Sequence, residues 1–181
     1  CAFTGDGLPT KLSVFDISDR SAPRLVRELR TSGSLLNARR IGEAVHMVLS
    51  FPGVRFDDLR YHPEHLDRCG TTIFPWIVTA AFAQLRAQNI RKIMERDLSD
   101  LLPAIEDVLI APDGGKVMRD SLLGDCRGFY RASMNDAGQF TTVLSLGLAS
   151  SAAPRFATIV SPPGAVSASG EALYMAVPRE R

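Results

Sequence analysis

At 181 residues, 45% hydrophobic and 23% charged, the chain has the make-up of an ordinary globular protein and the length of one domain or two small ones. Lys plus Arg is 21 and Asp plus Glu is 20, a formal charge of +1, so no bulk electrostatic attraction draws it to nucleic acid or anionic lipid. No run approaches the roughly 18 apolar residues of a membrane span, and an exported form is expected to carry its targeting segment upstream.

In chain order, the first elements predicted are four short strands over residues 10–50. Leu12, Val14, Phe15 and Ile17 form a β-rich run, residues 16–23 supply turn chemistry, and Leu25, Val26 and Leu29 form the next run. Pro23 is expected at a strand entry, where its missing N–H does no harm. Ser32-Gly33-Ser34 turns the chain, residues 35–41 return, and Gly42-Glu43 is a tight turn before Val45–Leu49. Four strands in about 40 residues is the size of one propeller blade.

Residues 51–70 are rich in Pro, Gly, Asp and His without steady periodicity, which predicts a loop. From Thr72 the pattern turns helical: Phe74, Ile77, Val78, Ala81, Phe82, Leu85, Ile90, Ile93, Met94 and Leu98 recur mostly three or four apart. Thr71 or Thr72 is the predicted cap and Pro75 falls in the first turn, while Ser99 is read as the N-cap of a second short helix through Leu101 and Leu102, ended or kinked by Pro103. This loop-and-helix insertion is taken to run over 51–110. Residues 111–139 read as loop, with Asp113-Gly114-Gly115 and Asp136-Ala137-Gly138 as turns.

Residues 140–178 repeat the opening pattern. Ala153-Pro154-Arg155 answers Ala22-Pro23-Arg24, and Gly170-Glu171-Ala172 answers Gly42-Glu43-Ala44, in the same order and within the same strand pattern. The expected fold is therefore mainly β with a helical insertion: a single domain of two antiparallel blade-like meanders of a partial β-propeller, flanking one long and one short helix.

The segments TKLSVFDISDRSAPRLVREL and ARRIGEAVHMVLS resemble the secreted bacterial and archaeal proteins that contain a C-terminal β-propeller domain. The shared points are Phe15–Asp19, Pro23, Arg39 or Arg40, and Ile41-Gly42. They continue through Asp100-Leu101-Leu102-Pro103 and Cys126 to Ser169–Tyr174, covering nearly the whole chain. The second copy departs from the pattern, with Leu146–Ser150 in place of Phe-Asp-Ile-Ser-Asp. Because members of that family are much longer, the resemblance implies an internal piece of an exported or cell-envelope protein.

His62, His65 and Cys69 form an H-x2-H-x3-C cluster in the loop, a donor set that could suit zinc with Glu64 or Cys126 as a fourth ligand; the spacing is not that of a zinc finger and Pro63 restricts convergence of the rings, so a solvated polar loop is the preferred reading. Cys69 and Cys126 either pair as a disulfide in an oxidising compartment or stay reduced. Cys1 is an N-terminal nucleophile, a lipidated first residue or simply the first residue of the sequence, and the last reading is preferred. Asp16, Asp19, Glu43, Asp57 and Asp58 offer carboxylates for acid–base work, and Arg24, Arg39 and Arg155 offer cations. Asp16, Asp19, Pro23, Arg39, Gly42, Pro154 and Gly170 are assigned structural roles, the aspartates hydrogen-bonding backbone N–H groups in turns and arginines pairing with them.

There is no G-x-S-x-G elbow, P-loop, G-x-G-x-x-G or C-x2-C, which disfavours serine hydrolase and nucleotide chemistry. The leading expectation is a binding or interaction scaffold for a protein or cell-surface ligand, without a required cofactor, whose strand edges are covered by the rest of a propeller or a second chain. The alternative is a hydrolase using loop carboxylates or Cys1. A hydrolase should gather two or more of Asp16, Asp57, Asp58, His62 and Cys69 in one pocket, whereas a scaffold leaves them apart. A third expectation is that the stripe beginning at Phe74 pairs two chains.

Overall fold

The computed structural model describes residues 5–54, 56–64, 66, 74–97, 101–119, 126–131 and 138–177. The chain divides into two compact units, one made of Cys1–Val54 with Leu102–Arg181 and the other of Arg55–Leu101.

The first unit holds eleven strands among its described residues: β1 Thr10–Asp16, β2 Arg24–Thr31, β3 Ser34–Ile41, β4 Ala44–Phe51, β5 Ile105–Ile110, β6 Lys116–Arg119, β7 Phe129–Arg131, β8 Phe140–Gly147, β9 Arg155–Val160, β10 Ala165–Ala168 and β11 Leu173–Ala176. They form a four-stranded sheet ordered β1-β2-β5-β6, a five-stranded sheet ordered β3-β4-β8-β9-β7, and the two-stranded ribbon β10-β11. Pairing is antiparallel throughout except for β7 beside β9.

The strands of the first repeat fall where the pattern predicts, yet they do not make one meander. Strands β1 and β2 belong to the first sheet, and β3 and β4 to the second. The physical reason lies in the apolar alternation. Leu29 on β2 and Ile105 on β5 occupy one side of a buried cluster; Met47, Leu49 and Phe51 on β4 and Leu144 and Leu146 on β8 occupy the other. Side-by-side pairing of β2 and β3 would leave those faces uncovered, whereas crossing between sheets buries each on the other. The crossing occupies only Ser32 and Gly33, and Gly33 lies under the Phe51 ring, where a Cβ would fall 2.7 Å from Cζ. No side chain fits there without displacing Phe51.

Strands β5, β6 and β7 correct the expectation that residues 104–139 are insertion and loop. β5 is an interior strand of the first sheet, paired with β2 on one side and β6 on the other. The predicted turn at Asp113-Gly114-Gly115 is the β5–β6 connection, with Gly114 at φ +84, the Ala111 N–H donating to the Gly115 carbonyl and the Gly114 N–H to the Ala111 carbonyl.

In the second unit one helix is described, α1 Pro75–Met94, with Pro75 opening it and Phe74 at the N-cap without a side-chain hydrogen bond. Thr71 and Thr72, the expected caps, lie outside the described residues, as do residues 98–100, where the second short helix is expected to begin. One helix is described rather than two. Of the described part of the predicted apolar stripe only Leu85 is buried; Phe74, Phe82, Ile90 and Met94 are exposed, and Leu98 lies outside the described residues. No helix among the described residues is long and apolar enough to cross a membrane.

Candidate functional site

The β1–β2 connection is built from two successive Asp-x-Ser turns. Asp16 Oδ1 accepts hydrogen bonds from the Ser18 backbone N–H at 3.0 Å and from its hydroxyl at 2.7 Å, and Oδ2 accepts from Arg24 at 3.1 Å. Asp19 Oδ1 accepts from the Ser21 N–H at 2.9 Å and hydroxyl at 2.6 Å. The Ser18 hydroxyl and N–H, then Arg24, hold the Asp16 carboxyl below its usual range, and Ser21 does the same for Asp19. Both acids are thus spent on backbone geometry. Pro23 and Pro154 stand immediately before β2 and β9. Gly42, at φ +59, makes the two-residue turn between β3 and β4, and Gly170 lies in the β10–β11 turn.

In the second unit Asp58 is an anchor for the loop. Its carboxylate meets Arg96 at 3.1 Å and its backbone carbonyl accepts from Lys92 at 2.6 Å, while Asn89 donates to the Arg60 carbonyl at 2.7 Å. Partial desolvation raises the Asp58 pKa, but the Arg96 hydrogen bond and the nearby cations outweigh it, and the net shift is downward. Arg60 pairs with Glu64, and a hollow of about 200 Å³ opens between this loop and α1, lined by Arg60, Glu64, Leu85 and Gln88. Asp57 and His62 are exposed on the same loop. His65 and Cys69 of the candidate zinc cluster lie outside the described residues, as does Cys1, so neither the cluster nor the choice between paired and reduced Cys69 and Cys126 falls wholly on described residues. Cys126 begins a short 3-10 turn. Among the described residues no group of three or more His, Cys, Asp or Glu side chains could hold a metal ion.

Two polar constellations were not singled out from the sequence. The first is buried between the two large sheets. Arg27 on β2 and Asp107 on β5 are 3% and 0% exposed and pair twice, Nε to Oδ1 and Nη2 to Oδ2, each at 2.7 Å. Arg27 also donates to the carbonyls of Ser150 and Ala152 at 2.8 Å, tying β2 to the loop after β8. Arg119 on β6 places Nη1 3.6 Å from Asp107. A wider hollow of about 480 Å³ opens alongside, between the β5–β6 turn and residues 148–151.

The second constellation lies on the other face of the second sheet. Register puts Arg39 opposite His46, His46 opposite Ser145, and Ser145 opposite Arg155. Laterally paired residues share a face, so one polar row crosses β3, β4, β8 and β9. His46 Nδ1 and Ser145 Oγ are hydrogen-bonded at 2.8 Å. The β10–β11 ribbon borders the β3, β4 and β8 part of this row, leaving a recess of about 290 Å³ that Arg155 does not line. Its floor is Asn37, Arg39, Ile41, His46, Val48, Val143 and Ser145, and its roof runs from Val166 to Leu173. The Ser169 hydroxyl shapes the roof, accepting from the Ala172 N–H at 3.1 Å.

The recess brings together Arg39 and Gly170, both expected to be structural, with His46, Ser145 and Glu171. It contains none of Asp16, Asp57, Asp58 or His62. The sequence signals for it were the repeat, which marks Gly170-Glu171 as a turn, and the resemblance, which marks Arg39; neither points to His46 or Ser145. Against known families, residues 2–181 match the beta propeller domain model, and the chain belongs to that family. No curated protein and no solved structure matches the sequence.

Proposed function

We propose that this member of the beta propeller domain family is a non-catalytic binding or interaction scaffold of an exported or envelope-associated protein, and that the recess beneath the β10–β11 ribbon is its binding site. The observation that carries the reading is the contrast between the acids and the recess. Asp16, Asp19 and Asp58 are each committed to a turn or loop, whereas the 290 Å³ recess combines apolar walls with a few convergent polar groups. Partners of this reading are a protein or a cell-surface ligand. Within the described residues β10 and β11 pair only with each other, and we assign their outer edges to further strands of a propeller or to a second chain.

The hydrogen-bonded His46–Ser145 pair favours one rival, a hydrolase with Ser145 as nucleophile and His46 as base. Against it, among the described residues no carboxylate hydrogen-bonds His46 to orient the ring. The test is to assay the full chain on ester and glycoside substrates and to screen it on peptide and glycan arrays. We expect saturable binding that Ala168→Trp, which fills the recess, abolishes, and no turnover. Turnover that disappears in Ser145→Ala would overturn the scaffold reading.

A further inference from the structure

The two large sheets treat their charged rows differently. On the first sheet, Glu28 stands between Lys11, at 2.8 Å, and Arg30, and Arg30 also approaches Glu106 at 3.8 Å; each cation in that row has a carboxylate. On the second sheet, Arg39 and Arg155 flank His46 and Ser145 in one row, and neither guanidinium has an ion-pair or side-chain hydrogen-bond partner among the described residues. Glu171 in the roof lines the same recess as Arg39 but does not come within salt-bridge distance of it or of His46.

Resting on the binding-site reading above, we infer that the recess takes a small organic monocarboxylate. Neighbouring strands lie about 4.8 Å apart, so the backbone positions of Arg39, His46 and Ser145 fall within a span of about 10 Å, and all three side chains line the recess. A planar guanidinium fork matches a carboxylate through two parallel N–H···O bonds, and the hydrogen-bonded His46–Ser145 pair keeps one further donor, the Nε2–H or the hydroxyl according to the ring tautomer. The body of the ligand is set by the rest of the lining: Ile41, Val48, Val143, Val166 and Leu173 present apolar surface. Inorganic phosphate has no apolar body to place there. A dianion also suits the site poorly, because Glu171 offsets one positive charge at the rim.

The experiment is isothermal titration of the full chain with benzoate and hexanoate, beside benzamide, which keeps the ring and loses the charge, and inorganic phosphate, which keeps charge and loses the body. We expect both carboxylates to bind and the amide and phosphate to bind at least about tenfold more weakly, the worth of one charge-assisted contact. Arg39→Gln should weaken benzoate about tenfold, Arg39→Lys less, and Glu171→Gln should strengthen it; Arg20→Gln, at an exposed arginine of the β1–β2 turn, should change nothing. Thermal melting of each variant separates loss of binding from loss of fold. Benzamide binding as tightly as benzoate, or an unchanged affinity in folded Arg39→Gln, would overturn the carboxylate assignment while leaving the recess as a binding site. Heat from none of the probes would overturn the assignment and count against the recess itself.

Discussion

Asp107 shows how far a side chain's role depends on what lies across the sheet. In sequence it is the second acid of Glu106-Asp107 and looks like half of a solvated pair, but strand alternation sends Glu106 to the outer face and Asp107 to the interior. Its partner Arg27 is 80 residues earlier, and only the β2–β5 pairing brings them together. His46 and Ser145 were hidden the same way, being 99 residues apart. The Asp-x-Ser turns were legible because an aspartate and the N–H two residues on need no tertiary partner. Removing the Asp107 carboxylate alone leaves a guanidinium buried among carbonyls, so Asp107→Ala should destabilise the fold by about 3–5 kcal/mol in urea unfolding. Arg27→Met with Asp107→Leu should cost less than the two single substitutions added together, because they share one interaction. Glu28 gives the pH prediction. The Lys11 hydrogen bond and the Arg30 pair hold its pKa below the usual glutamate value against partial desolvation, so its contribution is present above the unfolded-state pKa of about 4.3 and is lost as pH falls through the lower folded value. Wild type should therefore exceed Glu28→Gln in stability near pH 7, with the gap closing below about pH 4. A gap that persisted at pH 2 would assign the effect to packing.

Elements were legible in proportion to how much of their signal is local. The hairpin β3–β4 carries clear alternation on β4, with Val45, Met47, Leu49 and Phe51 on one face, and a Gly-Glu turn before it, and it lies where the pattern places it. β5 and β6 carry less: Ile105–Ile110 is a short run behind a helical stretch, and Lys116–Arg119 is four residues long. Their Asp-Gly-Gly turn was readable, but nothing local says that the strands on either side complete a sheet begun at β1. The helix was readable from spacing, and its burial was not, since periodicity shows an apolar stripe without showing what covers it. The sheet-to-sheet crossing at Gly33 can be tested directly. Gly33→Ala puts a methyl against the Phe51 ring and should cost about 1–3 kcal/mol by thermal unfolding, with partial rescue when Phe51→Leu is added. A fully tolerated alanine would mean that the ring moves aside freely. On α1, Asn89 holds the loop over 56–64 beside Lys92: Asn89→Ala should speed amide exchange across the Arg60 end of that loop while leaving β2, β4 and β8 unchanged.

Across the molecule the sequence repeat and the sheets are out of phase. The repeat aligns β1–β4 with β8–β11, because the Ala-Pro-Arg triplets precede β2 and β9 and the Gly-Glu turns join β3–β4 and β10–β11. The second sheet takes β3 and β4 from the first copy and β8 and β9 from the second. The second sheet thus joins the end of one repeat to the beginning of the next, and the first joins the beginning of a repeat to β5 and β6 from outside both copies, so reading each repeat as one blade finds the strands and misassigns their partners. In β10–β11 this offset has an energetic consequence. Both large sheets bury interior strands on the shared core of Leu29, Met47, Leu49, Phe51, Ile105 and Leu144, whereas β10 and β11 supply none of its buried residues and pair only with each other among the described residues. An isolated two-stranded ribbon is marginal in water. In the 181-residue chain, amide exchange should therefore be slow in β2, β4, β5 and β8, which open only with global unfolding, and faster by orders of magnitude in β10 and β11. Saturating the recess with its ligand should slow exchange in the ribbon selectively, since the ribbon is its roof. Equal protection in all three sheets without ligand would show that the ribbon is held by the fold itself, and the recess would then be a rigid hollow rather than a site closed by what it binds.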